Sequence, residues 1–164
     1  MNRTRRQTLW ISIVGVLAVT GYAVLAAVQI LVLNPLAAAP GLTLDEIRSE
    51  MSSAGEDLGR GTVFFILGIG VALAVAVAIV SMVGRADPAV TAMVFLALLM
   101  LGALGYFAAS FGAGMGLADT FGIGGADYSP WARPLYGVSA LAATAIVIVA
   151  VVTVARRRPQ AAAA

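Results

Sequence analysis

The sequence predicts an all-α integral membrane protein, a bundle of four transmembrane helices with a short extracytoplasmic amphipathic helix between the first two. Three observations carry that expectation. First, 61% of the 164 residues are hydrophobic and 11% are charged, where a soluble globular domain has about a quarter charged. A soluble fold this apolar would expose large sticky patches. Second, four stretches, about 9–33, 62–83, 89–113 and 135–154, contain no Asp, Glu, Lys, Arg or His, and each reaches the roughly 20 residues a helix needs to cross a ~30 Å hydrocarbon core. Third, the arginines are distributed unevenly over the segments flanking those stretches.

The first stretch follows Arg3, Arg5 and Arg6 and precedes Ala37, Ala38 and Ala39, an arrangement that resembles a secretory signal and its cleavage site. The apolar run is much longer than the about 7–15 residues of such a signal, so a retained anchor is expected. The first and third stretches are long for the bilayer and imply tilt or protrusion. Arg3, Arg5, Arg6, Arg85, Arg156, Arg157 and Arg158 fall on one side, and Arg48, Arg60 and Arg133 on the other. Positive charge stays inside, so both termini and the middle loop are expected in the cytoplasm. Asp45, Glu46, Glu50, Glu56, Asp57, Asp119 and Asp127 then make an acidic outer face. Trp10 anchors the inner boundary, and Tyr128, Trp131 and Tyr136 the outer one, as interfacial aromatics do. All basic residues are Arg, and Ala, Val and Gly abound, which points to a GC-rich bacterial genome and a plasma membrane. A single transmembrane domain is expected over 1–158, with 159–164 a disordered tail or a remnant of cloning.

The connections carry local signals. Gly84 suits the position just past a helix end. Asp87 reads as an N-cap followed by Pro88 at the first helical position, so the second and third helices form a hairpin. In the outer loop over 34–61, Asn34-Pro35 should end the first helix, and Thr43 with Glu46 matches a capping box. Leu44, Ile47, Met51, Ala54 and Leu58 recur at helical spacing and predict an amphipathic helix at about 44–58, ended by Gly59-Arg60-Gly61. Its polar face carries Glu46, Glu50 and Asp57, whereas helices that lie on lipid favour Lys and Arg there. Packing over the bundle or against a partner is expected instead, with the carboxylates a solvated face rather than a cation site. The loop over 114–133 is glycine-rich and irregular. Its Phe121-Gly122-Ile123-Gly124-Gly125 is no dinucleotide fingerprint, and Asp119 to Asp127 lacks calcium-loop spacing.

The chemical inventory excludes much. There is no Cys and no His, which removes thiol chemistry, the common metal ligands and the usual base near neutral pH. Neither enzymatic activity nor a cofactor is expected, and nucleic acid is not an expected partner. Ionisable residues that mark ion paths are missing from the four stretches. Their polar residues, Ser12, Thr20, Tyr22, Gln29, Ser81, Thr91, Tyr106, Ser110, Ser139, Thr144 and Thr153, are mostly read as hydroxyls bonded back to a carbonyl one turn earlier.

The most organised positive signal is a run of small residues on the third helix: Gly102, Gly105, Ala109, Gly112 and Gly116. Small ridges let helix backbones approach closely in lipid. Gly68, Ala72 and Ala76 form a shorter counterpart on the second helix. Such ridges serve packing within one chain or an interface with another.

Three functions are weighed. The first is a non-catalytic scaffold or accessory subunit that binds membrane lipid and either another membrane protein or itself, through small-residue surfaces and the acidic outer cap. It predicts an apolar groove or exposed ridge. The second is a small oligomeric channel or facilitator, which predicts a continuous polar path. The third is an outer-face lipid- or ligand-binding module, or an enzyme, built on the outer carboxylates; it predicts an outer pocket holding one of them.

Overall fold

The structure, a computed structural model, describes the backbone of residues 3–161 and the side chains of residues 3–152. Every regular element among the described residues is a helix: α1 (Arg3–Val28), a π-helical turn (Gln29–Leu33), α2 (Asn34–Ala38), α3 (Leu44–Ser53), α4 (Arg60–Val83), α5 (Pro88–Phe121) and α6 (Ala132–Ala161). Four of the helical stretches are long and apolar enough to cross a membrane: Arg3–Ala38, Arg60–Val83, Pro88–Phe121 and Ala132–Val152. Of the expected tail, positions 162–164 lie outside the described residues, as do the side chains of Thr153, Arg156, Arg157 and Arg158.

α1 packs against α4 and α5, α4 also against α5, and α6 mainly against α5. The α4–α5 turn sits beside the start of α1, where the Thr8 hydroxyl donates to the Ala86 carbonyl at 3.2 Å. The opposite end, here the loop end, carries α3 and the 122–131 loop. A large apolar cluster fills the loop end, with Ala26, Ile30, Ile47, Met51, Val63 and Leu117 buried together. A smaller one, Val19, Ala74 and Phe95, lies nearer the α4–α5 turn. Glycine makes two close approaches possible. A Cβ on Gly15 would overlap the Phe95 ring, and one on Gly102 would stand 2.8 Å from the Tyr22 ring.

Four local expectations are corrected. Asn34-Pro35 does not end the first helix. The chain widens into the π turn, in which Asn34 N–H donates to the Gln29 carbonyl five residues back, and Asn34 keeps helical angles (φ −69°, ψ −46°). The wider turn absorbs the missing proline N–H and relieves the ring's clash with the preceding turn, so helix continues to Ala38.

The amphipathic helix stops at Ser53 rather than near 58, although its capping box forms as expected: Thr43 and Glu46 bond reciprocally. Gly55 takes φ +80°, and Glu56 N–H reaches back to the Met51 carbonyl at 2.8 Å. That is a left-handed helix stop. Leu58 is nonetheless buried, on the irregular segment before α4 rather than on helix.

Gly84 is right-handed (φ −74°), and Arg85 carries the positive φ of 54°. Asp87 and Pro88 behave as expected, with Asp87 Oδ1 accepting from Ala89 N–H at 2.8 Å.

The glycine-rich stretch from 114 to 121 is helix, and α5 ends only at Gly122 (φ +64°). Gly116 lies against α3 and the segment after it, where an added Cβ would stand 3.1 Å from Met51 Cε and from the Asp57 carbonyl. Tertiary packing there outweighs the poor helix propensity of glycine. At 1.5 Å per residue the 34 residues of α5 extend about 51 Å, beyond a ~30 Å core.

Candidate functional site

The loop end gathers polar groups that lie far apart in sequence. Asn34 follows the π turn, where the chain direction turns its side chain onto the 122–131 loop. Its Oδ1 accepts from the backbone N–H of Tyr128 (2.7 Å) and of Ser129 (3.2 Å), and its Nδ2 donates to the Ala126 carbonyl at 3.4 Å. These three bonds hold the loop so that Asp127 faces α5 and α6. Tyr106, fully buried on α5, donates its hydroxyl to Asp127 Oδ1 at 2.5 Å. Tyr136, in the second turn of α6, donates to Oδ2 at 3.2 Å. The two phenol rings meet edge to face, with centroids 5.5 Å apart. Two neutral donors thus orient one carboxylate, and each carboxylate oxygen keeps a further lone pair. The one ion pair among the described residues, Arg48 to Asp45 at 3.2 Å, does not involve it.

A cavity of about 290 Å³ opens beside this carboxylate, lined by Asn34, Asp127 and Tyr136 together with Phe107, Phe111 and Met115. Behind Tyr106, Gln29 is fully buried, and neither its Nε2 nor its Oε1 has a hydrogen-bond partner. Buried polar groups are nearly always partnered, and π turns recur at functional positions.

The intramembrane polar residues divide. Thr91 and Thr144 bond back to the carbonyl four residues earlier, at 3.1 and 2.9 Å, as read from the sequence. Ser139 instead crosses to the Leu99 carbonyl at 2.8 Å, tying α6 to α5, and Tyr106 crosses to the loop. Ser12 is buried with an unpartnered Oγ.

The small residues also divide. Gly102, Ala109 and Gly116, spaced by seven, face inward. Gly105 and Gly112 stand on the flank, with nothing within 4 Å of an added Cβ. On α4, Gly68, Ala72 and Ala76 are all exposed on the face opposite buried Leu67 and Ala74. From the level of Ala76 toward the α4–α5 turn, an apolar groove of about 570 Å³ lies between α1 and α4, with walls that include Leu9, Ile13, Leu17, Val75 and Ile79, and with Ser12 among its lining residues.

Of the acidic residues at the loop end, Glu46 serves its helix start: Thr43 N–H and hydroxyl donate to it at 2.7 and 2.8 Å. Those donors hold its carboxyl below the usual glutamate range. Asp57 accepts from Gly59 N–H at 2.5 Å at the start of α4, and Glu50 is exposed. No group of three or more acidic residues among those described could hold a metal ion. Trp10 and Trp131 are exposed at opposite ends, while Tyr128 donates its hydroxyl to the Gly124 carbonyl at 2.8 Å.

In the sequence, Tyr136 is legible only as an interfacial anchor and Asp127 only as a surface acid. Asn34 carries no site signal there, and Gln29 and Tyr106 read as ordinary polar positions. One signal was available: Gln29 is the one side-chain amide in the four stretches, and a group that costly to bury marks a position with a job. Comparison with protein-family models, with curated proteins and with solved structures finds no match to this chain.

Proposed function

We propose that the protein is a non-catalytic accessory or scaffold subunit of a bacterial plasma membrane, with both termini cytoplasmic, that binds another membrane protein through the outward face of α4 and the adjoining α1–α4 groove. The observation that carries this reading is the Gly68, Ala72 and Ala76 stripe, which points away from the other helices and is left exposed by the described residues. α4 is the least buried crossing, with 11% of its most apolar window inside, and small residues at four-residue spacing let a second helix come close. Support for the orientation is the placement of Arg3, Arg5, Arg6 and Arg85 at the α4–α5 turn end. The acidic helix α3, with Ile47 and Met51 buried, then covers the outer end.

A photo-crosslinking residue at Ala72, compared with one at exposed Leu141 on α6, tests this in native membranes. The reading expects a stoichiometric adduct with one other membrane protein from position 72 and none from 141. An adduct only with a second copy of this chain would favour the oligomeric channel, and no adduct from position 72 would remove α4 as an interface.

A further inference from the structure

We infer that the loop-end cavity is a binding site for a primary ammonium group at the membrane surface, with Asp127 accepting its N–H donors and aromatic side chains surrounding its charge. The inference is independent of the accessory-subunit reading.

Charge argues first. Asp127 is oriented by two phenols that are donors but not cations, and the ion pair among the described residues lies elsewhere. Asp127 is exposed and lines the cavity, so its carboxylate can take hydrogen bonds and positive charge from outside the chain.

The rest of the lining selects the kind of cation. Phe107, Phe111, Met115 and Tyr136 supply aromatic and thioether surface, and the Phe107 and Phe111 rings lie 5.9 Å apart. Aromatic faces attract ammonium cations, and the Asp127 carboxylate calls for N–H donors, which a primary ammonium carries and a quaternary one lacks. A bare metal ion needs several oxygens, and Asn34 Oδ1 is already engaged by two backbone N–H groups. A volume of about 290 Å³ suits an aminoalkyl group rather than a folded chain.

Depth argues for a lipid as one source. Tyr106 and Phe111 stand 18 and 23 residues along α5 from Pro88, or about 27 and 35 Å. With Pro88 at one edge of a ~30 Å core, the cavity falls in the opposite headgroup layer. The same ammonium chemistry is offered by a phosphatidylethanolamine headgroup and by a free amine. Because Asn34 fixes the loop beforehand, binding needs little reordering.

The test uses the full chain, delipidated and reconstituted in nanodiscs of phosphatidylethanolamine and phosphatidylglycerol in equal parts. Native mass spectrometry reads which lipid is retained, and thermal shift reads ethanolamine hydrochloride against sodium chloride at equal ionic strength. Retention of phosphatidylethanolamine about tenfold over phosphatidylglycerol, of the order a cation–π and charge-assisted contact supplies, identifies the lipid source. Protection by ethanolamine but not by sodium, without lipid preference, identifies a free amine. Asp127→Asn keeps hydrogen-bonding groups for both tyrosines while removing the charge, and should abolish either preference. Should that variant unfold, Phe111→Ala, on an exposed side chain, should lower the same preference with the fold intact. Equal retention of both lipids together with equal effects of ethanolamine and sodium overturns the inference, as does a preference that survives in a folded Asp127→Asn or Phe111→Ala.

Discussion

Asn34 and Tyr128 are 94 positions apart, yet the side-chain Oδ1 of one accepts from the backbone N–H of the other at 2.7 Å. The same oxygen takes the N–H of buried Ser129, so one side chain satisfies two loop donors that would otherwise be orphaned. Truncation should therefore cost more than a surface change. Asn34→Ala is expected to lower stability by about 1–3 kcal/mol, the penalty for unpaired buried polar groups. Hydrogen exchange over 122–131 should rise, while Asn34→Asp, which keeps the acceptor, should hold the loop better. Unaltered exchange in the alanine variant would show that the loop is held by something else.

Gly15 and Gly105 should respond oppositely to the same added methyl. At Gly15 a Cβ meets the ring of Phe95, which is itself buried at 3% exposure. Gly15→Ala should thus destabilise by about 1–3 kcal/mol, as overpacking does. Gly105 has open space around its Cβ position, so Gly105→Ala should leave protomer stability unchanged or raise it by about 0.5–1 kcal/mol through helix propensity. Unfolding in mixed micelles, read by circular dichroism, compares the two directly.

Arg85 holds a left-handed backbone (φ 54°) in the α4–α5 turn, immediately after a glycine that does not. Glycine adopts that conformation without the side-chain penalty of about 1 kcal/mol. Arg85→Gly is expected to stabilise the hairpin by roughly that amount, a rise in midpoint measurable by thermal unfolding. A fall would mean that the arginine side chain contributes more than its backbone costs.

The parts of this molecule that could be read from sequence are those governed by neighbours in the chain. An uncharged run sets a crossing, Thr43 and Glu46 set a helix start, and Asp87 with Pro88 set another. The misread positions are those where a distant contact or a backbone alternative decided. Pro35 is absorbed by a π turn, and α5 runs through Gly116 because Met51 and the chain after α3 lie on it. Gly55 stops α3 while the apolar spacing continues past it to Leu58. The polar cluster was the least legible part, because Asn34, Tyr106, Asp127 and Tyr136 come from four segments and no local spacing links them. The small residues of α5 form one ridge on paper, but a seven-residue repeat places Gly102, Ala109 and Gly116 inward and leaves Gly105 and Gly112 on the flank.

The capping box at the start of α3 makes that helix sensitive to acid. Thr43 N–H and hydroxyl both donate to Glu46 and depress its carboxyl pKa in the folded protein. A depressed folded pKa means that the carboxylate contributes stability above the unfolded value, and that this contribution is lost as pH falls through the folded value. The window therefore opens just below the ordinary glutamate pKa of 4.5 and extends to more acid pH. Amides in the first turn of α3 should exchange faster as pH is lowered through that window, after correction for intrinsic exchange. Glu46→Gln retains an acceptor for the Thr43 donors without the titrating charge, so its α3 protection should be flat over the same range. Equal pH dependence in the two proteins would assign the acid response to another carboxylate.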